Sequence, residues 1–203
     1  MKERARVVRA DLHAVLAAGF VCHLGLNVDG TVMVIPTNYG ATEETLYFHG
    51  SVASRSLVNS PDQTVCVTVT HVDGLVLARS VMEHSMNYRS AMIYGVPRLV
   101  TDPEEKFDAL RVITEQCAPG QWDYARRPNR KELAATSVLA LSLDEASVKI
   151  RTGPPDDGDT PDAELGLWAG VVPVAPAWGA PVTDPVLPTG FAVPAHVTAM
   201  TDR

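Results

Sequence analysis

The run Leu46-Tyr47-Phe48-His49-Gly50-Ser51-Val52-Ala53-Ser54-Arg55-Ser56-Leu57 concentrates more potential chemistry than any other part of the sequence. Its apolar start reads as a strand, Gly50 frees the backbone, and the small polar residues that follow predict a helix over 51–59. Unpaired N–H groups at a helix start carry partial positive charge and favour an anion. The hydroxyls of Ser51, Ser54 and Ser56 add donors, and Arg55 can hold two phosphate oxygens in a fork. A serine-capped helix with a solvated arginine fits the same residues, so this segment alone leaves phosphate binding and simple capping both open. His49 closes the strand beside the turn. An imidazole there could pass a proton near neutral pH, or could only hydrogen-bond a phosphate or the backbone.

Other chemistries find less support. Cys22, Cys66 and Cys117 are widely spaced and form no C-x-x-C pair, so neither a zinc ribbon nor a thiol redox motif is signalled. Gly-x-Ser-x-Gly, Gly-x-x-x-x-Gly-Lys and Gly-x-Gly-x-x-Gly are all missing, which counts against hydrolase, P-loop and Rossmann chemistry. His71, Asp73, Glu83 and His84 lack metal-ligand spacing on one element, and no metal is expected. His13 and His23 read as structural. Arg126-Arg127-Pro128-Asn129-Arg130-Lys131 reads as a solvated loop, with a grip on an anionic group across a dimer as the sharper alternative. Trp122, Tyr124 and Trp168 read as packing or as the wall of a pocket.

The 24 Asp+Glu against 17 Lys+Arg give a net charge of −7, which offers no general attraction to nucleic acid or anionic lipid. No apolar run approaches the roughly 18 residues of a membrane span, and Met1 to Arg6 is not followed by a leader's apolar stretch. A reducing cytoplasm is the expected setting.

These groups need elements to hold them. Stretches 20–28 and 31–39 are β-branched and apolar, and Asp29-Gly30 between them supplies the positive φ angles of a tight hairpin. Further strands are expected at 45–49, 64–70, 75–80, 90–100 and 138–143, with 147–151 as an extension. Helices are expected at 11–18 and from Asp102 to about Cys117, where Asp102-Pro103-Glu104-Glu105 is a start signal. Many short strands with few helices suggest a closed barrel or a sandwich. Nine of the 15 prolines lie between 154 and 194, so an irregular arm (153–203) follows a folded domain (1–152). Its apolar content suits packing on the barrel or on a partner.

The order of these pieces carries a family resemblance. The hairpin into Val32-Met33-Val34-Ile35-Pro36-Thr37-Asn38-Tyr39 comes first, then 46–56, then Tyr88-Arg89-Ser90-Ala91-Met92-Ile93-Tyr94-Gly95 leading to the helix at Pro103. The sequence resembles the FMN-binding split β-barrel proteins, the pyridoxamine 5′-phosphate oxidase-like superfamily. It is most similar to the nitroimidazole-resistance, flavin-nucleotide-binding branch, over about 11–151. The arm resembles that branch through Trp168-Ala169-Gly170-Val171-Val172-Pro173.

The resemblance implies a mainly β, six- to seven-stranded antiparallel split barrel with a few short helices and an extended Pro-rich C-terminal arm. It implies FMN, with Val34, Ile35, Pro36, Thr37 and Asn38 along the ring and with His49, Gly50, Ser51, Ser54, Arg55 and Ser56 around the phosphate. Ser90 would complete the site across a homodimer, Tyr94 and Trp168 would line a substrate pocket, and His49 would be the catalytic proton donor. The expected activity is FMN-dependent reduction of a nitro-aromatic or quinone-like small molecule. A flavin carrier or sensor, or a deazaflavin or haem in the same barrel, is the alternative. Ser56 stands where pyridoxamine phosphate oxidases carry a basic residue, and Ser90 near their glutamine. Their substrate-phosphate contacts have no clear counterpart, so vitamin B6 oxidation is not expected.

Overall fold

In a computed structural model, which describes residues 5–6, 9–54 and 60–201, the chain alternates short strands with a few helices. In order these are β1 (Ala5–Arg6), α1 (Arg9–Ala17), β2 (Val21–Val28), β3 (Thr31–Ala41), β4 (Thr45–Ser51), β5 (Val65–Leu77), β6 (Ser85–Gly95) and β7 (Arg98–Leu99). Then come α2 (Pro103–Cys117), α3 (Gln121–Tyr124), α4 (Arg130–Ala135), β8 (Thr136–Ser142), β9 (Ala146–Arg151), β10 (Gly170–Pro173) and α5 (Ala195–Thr201). No helix among the described residues is long and apolar enough to cross a membrane.

Asp29 and Gly30 take φ angles of 51° and 81°, which turn β2 directly into β3 and pair Val28 with Thr31 through to Val21 with Asn38. The antiparallel strands follow the order β1-β9-β6-β5-β2-β3-β4-β8-β7, with β10 added to β5. The result is an antiparallel split barrel with a few short helices. Its core is filled by alternate residues: Val65, Val67 and Val69 of β5 point inward with Leu24, Leu26, Phe48, Leu139, Leu141 and Val148. Leu12, Val15 and Leu16 of α1 join the same core, the helix lying near β5, β6 and β9.

Asp102 caps α2 by accepting from the Glu105 N–H at 3.0 Å, as its start signal predicts. The helix lies against β3 and β4, above a smaller cluster of Val100, Ala109, Val138 and Ala140. Gly40 permits that approach, since a Cβ there would sit 2.6 Å from the Ile113 backbone nitrogen.

Three expectations change. The segment expected as a strand at 75–80 is the far half of β5, which runs on through an irregularity between Val72 and Gly74. Asp73-Gly74 has the composition of a turn but acts as a bulge. The stretch 90–100 divides, because β6 starts earlier at Ser85 and ends at Gly95, before Pro97 interrupts pairing. With the two-residue strands and β10, the sheet has 10 strands among the described residues. The expected helix at 51–59 begins differently: Ser51 still pairs with Thr136, and Val52-Ala53 form a turn. Residues 55–59 lie outside the described residues.

The arm follows a definite path. Asp157 is buried and accepts from the Arg79 backbone N–H and guanidinium. β10 then pairs with Gly74–Leu77, on the edge of β5 that β2 leaves free beyond Thr68. Trp178 stacks on Phe20 at 5.8 Å, and His196 of α5 bonds Gln121 of α3 at 2.8 Å.

Candidate functional site

The two segments singled out for ring and phosphate meet where the barrel splits. β3 pairs with β2 as far as Asn38, whereas only Tyr39, Gly40 and Ala41 pair with β4. Past Phe48, β4 pairs with β8 alone, through His49, Gly50 and Ser51. The strands therefore part at the Tyr39–Phe48 rung, which leaves Val34 to Asn38 on one side of a groove and His49 to Ser51 on the other. Tyr39 and Phe48, both at 0% exposure, anchor the fork. The Tyr39 hydroxyl donates to the Leu16 carbonyl at 2.7 Å, and burial pushes its pKa well above the ordinary range.

Polar groups line this fork. Asn38 Nδ2 donates to Cys117 Sγ at 3.7 Å, and burial raises the Cys117 thiol pKa. The Thr37 hydroxyl donates to the Asn38 carbonyl at 3.4 Å. Ile35 turns partly into the core, so side chains of Val34 and Pro36 are the exposed ones on that wall. Across the groove, Ser51 Oγ accepts from the Ala53 N–H at 3.2 Å, and the Ser54 N–H donates to the Ser51 carbonyl at 2.9 Å. His49 Nδ1 is buried and has no hydrogen-bond partner among the described residues. Burial lowers its pKa, so the ring is neutral at pH 7. A buried polar atom without a partner is rare and needs an explanation, which a ligand group would supply. Arg55 and Ser56 lie outside the described residues.

Ser90 and Tyr94 do not join the groove within one chain. β6 is separated from β3 by β5 and β2, and Ser90 and Tyr94 pair with Thr70 and Cys66. Trp168 is 67% exposed ahead of β10, at the far end of β5, where it covers Gly170.

Other weighed residues have structural partners. Trp122 is buried against Phe107, with ring centroids 5.0 Å apart, and Arg127 lies 4.7 Å over its ring. Arg126 pairs with Glu132 and Arg127 with Asp123. Asn129 and Glu132 form a capping box that starts α4 inside the basic stretch read as a loop. Asp73 holds Arg89 through two hydrogen bonds of 2.8 and 2.9 Å, which keeps its carboxyl below the usual carboxylate range. No group of three potential metal ligands occurs among the described residues.

Sequence reasoning missed Cys117 and its neighbour Gln116. Gln116 donates to the carbonyls of Leu16 and Gly19, at 3.0 and 2.6 Å, and ties α2 to the end of α1. Beside it a cavity of about 400 Å³ is lined by Gly19, Phe20, Cys117, Trp178 and Met200. The helical spacing from buried Ile113 to Cys117 was a usable signal, since residues four apart share a helix face.

Comparison with known proteins agrees with this architecture. The pyridoxamine 5′-phosphate oxidase family model matches residues 8–150. The flavocytochrome Anf3 from Azotobacter vinelandii is 35% identical, with 98% of this chain and 92% of that one covered at a TM-score of 0.92. The FAD and heme binding protein from Mycobacterium smegmatis is 36% identical, with 98% and 97% covered and a TM-score of 0.92. A "putative 5-nitroimidazole antibiotic resistance protein" from Bacteroides thetaiotaomicron is 22% identical, covers 72% of this chain and 86% of its own, and has a TM-score of 0.60, a likeness of fold alone. No match was found among curated proteins.

Proposed function

Because this chain belongs to the pyridoxamine 5′-phosphate oxidase family, we propose that it is a flavin-dependent redox protein whose cofactor lies in the groove between β3 and β4. The observation that carries this reading is the parting of those strands beside the unpartnered, buried His49 Nδ1. A bound flavin would supply reversible electron transfer. The chain's part is to hold and orient it. Val34 and Pro36 would offer an apolar wall for a bound ring, and the backbone along Ile35, Thr37 and Asn38 would supply its hydrogen-bonding groups. The Ser51 to Ser54 turn, with Arg55 and Ser56 assigned from the sequence alone, takes the phosphate. Neutral His49 offers one nitrogen to the cofactor and can move a proton between it and a reacting molecule.

FMN is the cofactor that the sequence resemblance implies. FAD shares the ring and first phosphate, and one relative of 36% identity is named for it, so the same cradle serves either. A nitro-aromatic or quinone-like acceptor, flat and electron-poor, suits an open ring face. A homodimer would bring Ser90, Tyr94 and Trp168 to the groove from a second copy. Val32 and Val34, 78% and 64% exposed, give that copy an apolar face.

A second reading, a flavin and a haem in one chain, is favoured by a specific observation. The two relatives matched over 98% of the chain, arm included, are named as a flavocytochrome and as an FAD and heme binding protein.

Absorption and mass analysis of the purified protein tests the first reading. A flavin spectrum is expected, and Arg55→Ala should weaken flavin binding by about 1.5–3 kcal/mol, the worth of a charge-assisted hydrogen bond. A colourless protein that takes up neither FMN nor FAD in excess would overturn it. Oxidation of the reduced holoprotein by a nitro-aromatic in the absence of oxygen is the corresponding test of turnover.

A further inference from the structure

We propose that the cavity between the end of α1, the end of α2 and the arm is the pocket that admits an uncharged aromatic electron acceptor of one or two rings to the flavin. The inference rests on the flavin reading above and gives its acceptor a place and a chemical class.

The cavity is built from pieces that the fold brings together. Gly19 and Phe20 lead from α1 to β2, Gln116 and Cys117 close α2, and Trp178 and Met200 come from the arm. Gln116 holds the two helix ends together by donating to the Leu16 and Gly19 carbonyls. β10 binds the arm to β5 ahead of Trp178, and His196 bonds Gln121 at 2.8 Å ahead of Met200. Gly120, at a φ of 85°, lets α5 approach, since a Cβ there would sit 2.9 Å from the His196 Cβ. The family model ends at residue 150, so the arm's wall lies outside the part of the chain that it matches.

The position of the cavity ties it to the proposed ring site. Asn38 is the last residue assigned to the ring wall, and its Nδ2 donates to Cys117 Sγ at 3.7 Å. One hydrogen bond therefore joins the cavity lining to the groove. Val21, which pairs with Asn38, directly follows Phe20, so β2 leads from the cavity to the same rung. Unlike Tyr94 and Trp168, which would need a second copy, the pocket is complete within one chain.

The lining selects the ligand. None of its side chains carries a charge, and burial raises the Cys117 thiol pKa, which keeps that group neutral at pH 7. A carboxylate or phosphate entering would lose water without gaining a partner. Phe20 and Trp178, stacked with centroids 5.8 Å apart, form an aromatic wall, and the sulfurs of Cys117 and Met200 suit contact with a ring. The volume of about 400 Å³ lies toward the small end of ligand pockets, which run from about 300 to 1,000 Å³. That admits one or two fused rings. A nitro group held there is reduced to nitroso by two electrons and two protons from the reduced flavin; one N–O bond breaks and its oxygen leaves as water.

The test uses p-dinitrobenzene and p-nitrobenzoate, which differ by one nitro group exchanged for a carboxylate. Equilibrium dialysis measures binding to the oxidised protein, and anaerobic stopped flow measures how each compound reoxidises the reduced, flavin-loaded protein. Wild type should bind p-dinitrobenzene at least about tenfold more tightly than p-nitrobenzoate. Ala18→Trp fills the cavity from an exposed position in its lining. It should bind p-dinitrobenzene at least about tenfold more weakly and need correspondingly more for half-maximal reoxidation, with flavin uptake unchanged. Equal binding of the two probes, or an Ala18→Trp protein that behaves as wild type, would overturn the cavity assignment and leave the flavin reading intact. Wild type that takes up no flavin would overturn that reading and the pocket's role with it. Should Ala18→Trp itself take up no flavin, Ala177→Trp fills the same space from the arm and replaces it, and wild-type affinity there overturns the assignment.

Discussion

His49 shows how a single residue can be legible in kind and illegible in state. In the sequence its place just ahead of Gly50 and Ser51 suggests chemistry near an anion, and in the fold it sits within β4, two residues before that strand ends. The sequence does not reveal that Nδ1 is buried without a partner among the described residues, because that follows from the separate course that β3 takes. Burial lowers the folded-state pKa, so the unfolded chain takes up a proton first as pH falls. Stability is therefore complete above the unfolded value near 6.5 and declines as pH drops through it. In the flavin-free protein, the urea midpoint should fall between pH 7.5 and pH 5.5, and His49→Gln should flatten part of that fall. A tenfold difference in proton affinity between the two states is worth about 1.4 kcal/mol. Identical pH profiles for the two proteins would show that His49 is not held neutral by burial.

At the scale of elements, local signals identified most pieces and failed where a distant segment intervened. The Asp29-Gly30 turn and the Asp102 cap act within a few residues of themselves, and both stand as read. Asp73-Gly74 misleads because it has turn chemistry, yet β5 continues through it under the approach of β10. A Cβ at Gly74 would sit 2.9 Å from Val171 Cγ1, so the glycine serves the arm and not a turn. Gly40 has the same logic toward α2, whose backbone atoms lie 2.6 and 2.7 Å from a Cβ built there. Gly40→Ala must lift the helix from β3 and should cost roughly 1–3 kcal/mol, or about 3–10 °C in Tm. Thermal unfolding checks this, and an unchanged Tm would mean that α2 yields freely. Since Cys117 ends the same helix, that shift should also loosen the Asn38–Cys117 contact at the fork.

On the outer face of the β2–β3 hairpin Val21, Val32 and Val34 are all exposed, and the proposed homodimer would cover them. Sedimentation should find a homodimer in solution. Val32→Glu, which would bury an unpaired charge, should weaken it by about 2–4 kcal/mol, roughly thirty- to a thousandfold. A wild-type monomer that binds flavin tightly would contradict that assembly. What the sequence determined alone was what local chemistry can encode: strands with inward alternation, hairpin and cap residues, a turn after the Leu46 to Phe48 strand, and a proline-rich arm. Only the tertiary structure decided where β3 and β4 separate, and that Ser90, Tyr94 and Trp168 stand apart from the groove in one chain. The reason is physical: alternation and capping act over a few residues, whereas a groove is defined by strands far apart in sequence that stop pairing at a particular rung.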